Sequence, residues 1–501
     1  MTLAVLGAMF TVVVLVPLGA VLAQVRPGDL ALLASARPWT LLGRSLALAT
    51  AVTTAALAIG VPAGAVFARA RIPLRSALSM MHLFPVFVPP FFIALGWFHV
   101  FGAQGLLGSP ATASLLFGPV GAWAVLALAF TPVVTALTTL GIRSLDSSLE
   151  DAARVVASPR RVLAAILVPA VRPQIALAAL LVFAISLAEL GVPMFLRVDV
   201  YAAAVFARLG GVDFAPGEAV ALSVPIVAVA MVLTMLERRV SSHANGAALS
   251  FRSEARQPLD VGAAAIVVAA TAAFLSMVPV VALAAHGAPA LSGVATWAGA
   301  SVQNGLVVSL ATAAIAAPMG IALGHGVARD ETPAKMMAGG FLFAFFVPSA
   351  VLGVGIVSAW NRPATSLLYG SEAVLVLGFL GRYGILAVRA FAASCRQVSR
   401  SYEDAAQVAG SGYLGRLFGV VAPMQHRGVV AALGLTFVFC LRDLETAVLF
   451  YPAGGEPLTV RIFTLEANGP SRLVAALAVV HVVVTAAVLL VFGGLLRETT
   501  K

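Results

Sequence analysis

Charge is what this chain of 501 residues has least of: only 10% of its side chains are Asp, Glu, Lys or Arg. A soluble globular protein carries about 25%, so a water-soluble fold of this length is excluded. The two cysteines, Cys395 and Cys440, exclude a secreted disulfide scaffold. Lysine is nearly missing, since of 31 basic residues only Lys335 and Lys501 are lysines. A P-loop needs Gly-x-x-x-x-Gly-Lys-Ser/Thr, so that backbone amides and a lysine surround phosphates. Lys335 follows Thr332-Pro333-Ala334 and Lys501 is the last residue, so neither has that context. The chain therefore has no recognisable ATP site and reads as no enzyme. It also has no run of five basic residues, which argues against nucleic acid as the partner of its +10 net charge. The seven histidines form no pair at metal-ligand spacing. We expect neither a metal nor a cofactor.

What the chain does have is apolar length: 61% of it is hydrophobic, with a mean hydropathy of +1.02. A helix needs about 20 largely apolar residues to cross the hydrocarbon core. Twelve such windows fall at 2–24, 44–68, 76–100, 118–142, 174–196, 217–236, 261–285, 303–327, 337–360, 372–388, 428–450 and 473–496. The sequence thus predicts an all-α polytopic membrane protein seated in the lipid bilayer. Val21-Leu22-Ala23 resembles a cleavage site, but the uncharged start and long apolar stretch favour a retained first helix. With the N-terminus inside, 21 of the 31 basic residues fall in cytoplasmic segments and eight outside, leaving Arg382 and Arg442 within spans. That asymmetry places both termini in the cytoplasm.

The second half repeats the first. Arg44 through Gly60, Gly64 and Arg69 aligns with Asn304 through Gly320, Gly324 and Arg329 at an offset of 260. Gly96 matches Gly355, and farther on Glu150-Asp151-Ala152-Ala153 matches Glu403-Asp404-Ala405-Ala406 at an offset of 253. Six spans per half bring both halves into the membrane the same way round, as a parallel repeat with a path at the interface between them. The expected organisation is a first half over 1–240, a polar cytoplasmic linker over 241–260 and a second half over 261–501.

The loop after the fourth span of each half carries the most specific text. The first reads Leu149-Glu150-Asp151-Ala152-Ala153-Arg154-Val155-Val156-Ala157 and closes on Pro169. The second reads Tyr402-Glu403-Asp404-Ala405-Ala406-Gln407-Val408-Ala409-Gly410 and closes on Pro423. Acidic residues at a helix start complement its dipole, paired alanines allow close approach of another surface, and Gly410 permits a turn that a side chain obstructs. A plain helical connector would not repeat this text on the same side.

These segments resemble the EAA loop of ABC importer permeases, with Asp151 and Asp404 where that pattern has Glu. Ala157 also stands where the pattern, like Gly410, has Gly. Text around Glu189-Leu190-Gly191-Val192-Pro193 and Asp443-Leu444-Glu445-Thr446-Ala447 resembles the fused permeases of ferric-iron-type importers. The resemblance implies a type I importer fold and coupling helices at the two loops. It also implies two copies of a separate cytoplasmic ATPase and a periplasmic or extracellular substrate-binding protein, in a bacterial inner membrane. Iron is the substrate it suggests, while relatives of similar text are associated with thiamine, polyamines or phosphonates. A secondary transporter also has twelve spans in two parallel halves. Its Gly, Asp and Arg-rich motif after the second span is missing from both 69–75 and 329–335.

Ionisable groups inside spans raise a functional hypothesis. Glu189 and Asp443 take equivalent places in the fifth span of each half, Arg382 lies midway along the tenth, and Arg442 and Glu445 flank Asp443. Glu189, Arg382, Asp443 and Glu445 either line the translocation path or its outer gate, or pair to lock helices together, because an unpaired buried charge costs several kcal/mol.

Overall fold

The computed structural model describes residues 2–24, 26–210, 216–244 and 257–498. The central part of the expected linker, 245–256, lies outside the described residues. Among the described residues the fold is helical throughout, with one isolated bridge, Ala70 to Leu259, as its only extended pairing. Eight helices are long and apolar enough to cross a membrane. The number rises to twelve if each of four sharply bent pairs counts as one span. These twelve positions correspond to the twelve apolar windows, so the chain is a multi-pass membrane protein.

The bends follow from proline chemistry. Arg75–Phe87 and Pro90–Phe101 meet at 110°, and so do Thr332–Phe346 and Ser349–Trp360. Val88 and Val347, each preceding a proline, have extended backbones at ψ 140 and ψ 129. The proline ring bars the α conformation for the residue before it, so each helix ends there and restarts in a new direction. The loop after the fourth span bends again in each half, by 66° before Arg172–Ala188 and by 86° before His426–Leu441. Each of these entries is a π-helical turn, Val162–Leu167 and Leu417–Val421.

The chain divides into two compact units. The smaller contains Trp39–Ala203 and Val232–Ala288; the larger contains Met1–Pro38, Ala204–Met231 and Pro289–Lys501. In the smaller unit, Phe67, Ile142, Val162, Leu167, Leu259 and Ala269 are buried together. That core joins the second span, the loop after the fourth and the start of Ala263–Gly287. Here Gly96 sits so close to the Pro279 carbonyl that a Cβ would collide with it. The larger unit repeats this contact with its own partners: a Cβ on Gly355 would come within 2.5 Å of the Pro17 carbonyl oxygen. The first helix, 4–23, therefore packs with Ser349–Trp360 of the second half, and the seventh, 263–287, with Pro90–Phe101 of the first. Small residues also set the packing of second on fourth spans. Gly60 and Gly64 leave room for Val134 and Thr138, as Gly320 and Gly324 do for Ala387 and the backbone of Val388.

Candidate functional site

The loop after the fourth span forms a short helix in both halves, Ser147–Val156 and Arg400–Val408. Asp146 and Ser399 cap them, each accepting a hydrogen bond from a backbone amide two residues on. In the smaller unit, Glu150 lies on the inward face with a side chain only 1% exposed. Arg69, at the end of the second span, donates to it at 2.5 Å, and Arg154, one turn along the loop helix, at 2.6 Å. Burial alone would favour the neutral acid, but the hydrogen bonds and charge of Arg69 and Arg154 outweigh it. They hold Glu150 below the ordinary carboxylate range.

The larger unit builds the same clamp with one different part. Arg329, the repeat partner of Arg69, donates to Glu403 through Nε at 2.8 Å and also through a terminal nitrogen. The second partner is His325, whose Nε2 lies 2.7 Å from Glu403, where the first half uses Arg154. Burial again opposes ionisation, and His325 and Arg329 outweigh it, so Glu403 is also held low. Arg154 is replaced in sequence by Gln407, which pairs with Arg416 instead.

Because the glutamates face inward, other residues of the motif are left to face outward. Asp151 and Ala152 are exposed while Ala153 is buried; Asp404 and Ala405 are exposed while Ala406 is half-buried. Val155 is 86% exposed, Val156 79% and Val408 91%. Each loop helix thus turns an acid inward and shows aliphatic side chains, the inverse of an ordinary surface helix.

The two helices leave differently. Gly410 has φ +84 with open space around its Cα, so its left-handed backbone is what requires glycine. Ala157 is extended at φ −143, ψ 149, a conformation any residue adopts. Alanine for glycine at 157 thus reflects a different exit from the loop helix.

A second feature has no counterpart in the larger unit among the described residues. The segment 257–262 lies along the first clamp as an extended strap. The Gln257 carbonyl accepts from Arg69 at 3.2 Å and from Arg154 at 2.5 Å. Leu259 exchanges backbone hydrogen bonds with Arg69 and Arg71, and the Val261 carbonyl accepts from Arg160. In the larger unit an open cavity of about 220 Å³ lies beside the clamp, lined by Arg329, Glu403, Asp404, Tyr413 and Arg416 among others.

The four intramembrane charges separate into two places. Arg382, Asp443 and Glu445 come together: Arg382 donates to Glu445 at 3.2 Å and lies 3.8 Å from Asp443. Asp443 also accepts from the Tyr383 hydroxyl at 2.5 Å, from Thr446 through amide and hydroxyl, and from the Ala447 amide. It sits where His426–Leu441 has ended and caps the short helix Ala447–Phe450. Glu189 does the same in the smaller unit, following Arg172–Ala188 and accepting from the Val192 amide at 3.1 Å. The expected continuous fifth spans are therefore broken at both acids. Arg442 lies 5.0 Å over the Phe439 ring.

Sequence reading missed the clamp partners Arg69, Arg329 and His325, and the Tyr383 hydroxyl. Arg69 and Arg329 align in the repeat, but among loop arginines they read only as topology signals. The alignment itself carried the signal.

Residues 60–199 match the family described as binding-protein-dependent transport system inner membrane component. That stretch takes in Arg69, the first loop helix and Glu189. The chain is also similar to the ferric transport system permease protein FbpB of Actinobacillus pleuropneumoniae. Identity is 22%, across 86% of this chain and 67% of that relative. A putative ferric transport system permease protein FbpB 1 of Haemophilus influenzae is 23% identical, across 76% of this chain and 66% of its own. The chain thus spans about two thirds of the length of these relatives.

Proposed function

We propose, from the match of residues 60–199 to the binding-protein-dependent transport system inner membrane components, that this chain is the permease of an ABC importer coupled to a separate ATPase through Ser147–Val156 and Arg400–Val408. The carrying observation is the twin clamp. In each half an arginine ending the second span binds the first glutamate of a loop helix. Movement of the loop helix is thereby passed to a membrane-spanning helix, while Val155, Val156 and Val408 stay exposed for the ATPase. Two loops call for two ATPase copies, one per half. Basic residues concentrated on the loop side put that side, and both termini, in the cytoplasm of a bacterial cell. A substrate-binding protein then delivers at the opposite face. The names of the relatives support a ferric substrate.

Glu189, Arg382, Asp443 and Glu445 flank the breaks in the fifth spans, and we place them at the outer gate. Asp443 and Glu189 cap restarted helices, and Arg382 ties the tenth span to the broken one. Their contribution is to hold the gate's shape. Asp443→Asn and Glu189→Gln, assayed for uptake alongside assembled protein, test this; normal uptake in both removes them from the path.

The reading as a whole is tested by purifying the chain from native membranes. A co-purifying ATPase is expected, and Val155→Asp with Val408→Asp should abolish its capture and lower uptake at least about tenfold, the order of one lost hot spot. Protein levels should stay normal, because neither valine is buried. Uptake that follows an ion gradient without ATP overturns it.

A further inference from the structure

The smaller unit holds a cavity of about 700 Å³ whose lining shares no residue with its clamp or with the break at Glu189. Its lining includes apolar Leu48 and Ala51, one to two turns along the helix from Arg44, and Val120, together with Arg44, Arg197 and Trp123.

Depth can be read along one helix. Arg44 and Arg69 both lie on Ala36–Arg69, 25 residues apart, which at 1.5 Å per residue is about 37 Å. That exceeds the ~30 Å hydrocarbon core and falls short of the ~40–45 Å that includes headgroups. With Arg69 at one boundary, Arg44 stands in the headgroup layer of the other. Trp123, 40% exposed and donating its indole N–H to the Ala51 carbonyl at 3.1 Å, occupies the level that tryptophan favours.

Positive charge is in excess at this level. Neither Arg44 nor Arg197 has an ion pair among the described residues. Against the two arginines the lining offers one acid, Asp199. Arg197 has a left-handed backbone at φ 58, rare for a non-glycine residue, and its guanidinium lies 5.3 Å over the Phe117 ring. Strain of this kind persists where surrounding structure holds it in place.

The repeat sharpens the case. Asn304, the partner of Arg44, donates to the Gly454 carbonyl at 2.8 Å and ties down the loop above it. Where the second half has this asparagine, the first keeps an arginine beside an apolar lining.

We propose that this cavity binds an anionic phospholipid, its phosphate between Arg44 and Arg197 and its acyl chains along Leu48, Ala51 and Val120. Arginines beside an apolar lining at headgroup depth match that ligand on both counts.

The full-length chain, purified and placed in phosphatidylcholine nanodiscs with a graded share of phosphatidylglycerol, is examined by native mass spectrometry for retained lipid. Phosphatidylglycerol is expected to be retained preferentially. Arg44→Gln and Arg197→Gln should each weaken that preference about fivefold, and together roughly 30-fold, the effect of about 1 kcal/mol per basic residue near a membrane surface. Ala51→Phe should also weaken it by filling the cavity with both charges intact, and Arg44→Lys should preserve most of it. Size-exclusion profiles select the variants that are folded. An unchanged preference in the double glutamine variant overturns the proposal. So does inorganic phosphate displacing the lipid at equal concentration while Ala51→Phe has no effect, which would make the site one for a bare anion. Variants that keep the lipid preference but lose capture of the binding protein overturn it in favour of an acidic protein surface.

Discussion

The two loop helices hold their glutamates by different chemistry. Glu150 is met by two guanidiniums and roofed by the Gln257–Gly262 strap, with its side chain 1% exposed. Glu403 is met by one guanidinium and one imidazole beside an open cavity, with its side chain 15% exposed. What the halves share in holding the glutamate is the arginine from the second span; the second cation and the cover over the clamp have diverged. The shared part is thus the link between loop and membrane helix, and the rest tunes how firmly that link is held.

The sharpest way to break this comparison is to remove the shared arginine from each half in turn. Arg69→Ala leaves Glu150 buried beside a single cation, and losing one partner of a buried pair costs about 3–5 kcal/mol. Arg329→Ala strands a more exposed acid that keeps His325, at about 1–3 kcal/mol. Folded yield and thermal unfolding followed by size exclusion should rank Arg69→Ala as the worse; the opposite order would show that the clamps do not differ in burial. The strap comes next. Leu259→Pro deletes the amide that donates to the Arg69 carbonyl at 2.8 Å and should cost about 1–3 kcal/mol. Proteolysis should then open the first loop and spare the second.

Smaller effects probe how the helices end. Gly410→Ala forces a side chain into φ +84 and should cost about 1–2 kcal/mol. Ala157→Gly meets no such demand and should cost under about 1 kcal/mol through added freedom of the unfolded chain. Uptake and stability measured in parallel would separate the two. The smallest change is expected on mild acidification. Both glutamates are depressed in the folded chain against the pull of burial. Their stabilisation is complete above the ordinary carboxylate value of about 4.3 and is lost only as pH falls through the lower folded values. Proteolysis of the first loop, whose clamp cations are both arginines, should therefore be the same at pH 5 as at pH 7. Cleavage already rising at pH 5 would show that this clamp does not depress its acid.

Much of this was legible in the residues. Apolar windows located the spans, because crossing a bilayer demands length above all. Doubled acidic-Ala-Ala text located the loop helices. Val88-Pro89 and Val347-Pro348 marked the 110° bends. Glu189 and Asp443 stood out as charges in apolar text, but a window average runs straight through a helix break, so their capping role was hidden. Tyr383 was hidden as well, since a tyrosine in an apolar window looks like packing until its hydroxyl is seen on Asp443. The clamps depend on residues 81 and 74 positions apart, a separation at which local pattern says nothing about contact.

The placement of the first and seventh helices sets a timetable for synthesis. The smaller unit includes Trp39–Ala203 but also Val232–Ala288, and Leu259 and Ala269 belong to its buried core. Once residue 203 has left the ribosome, that core still waits for residues 204–288, about 4–17 s at the usual 5–20 residues per second. During that interval the groove on Pro90–Phe101 that receives Pro279 stands open in the bilayer. Joining the halves in one polypeptide shortens the wait, because the closing helix arrives on the same chain instead of by diffusion.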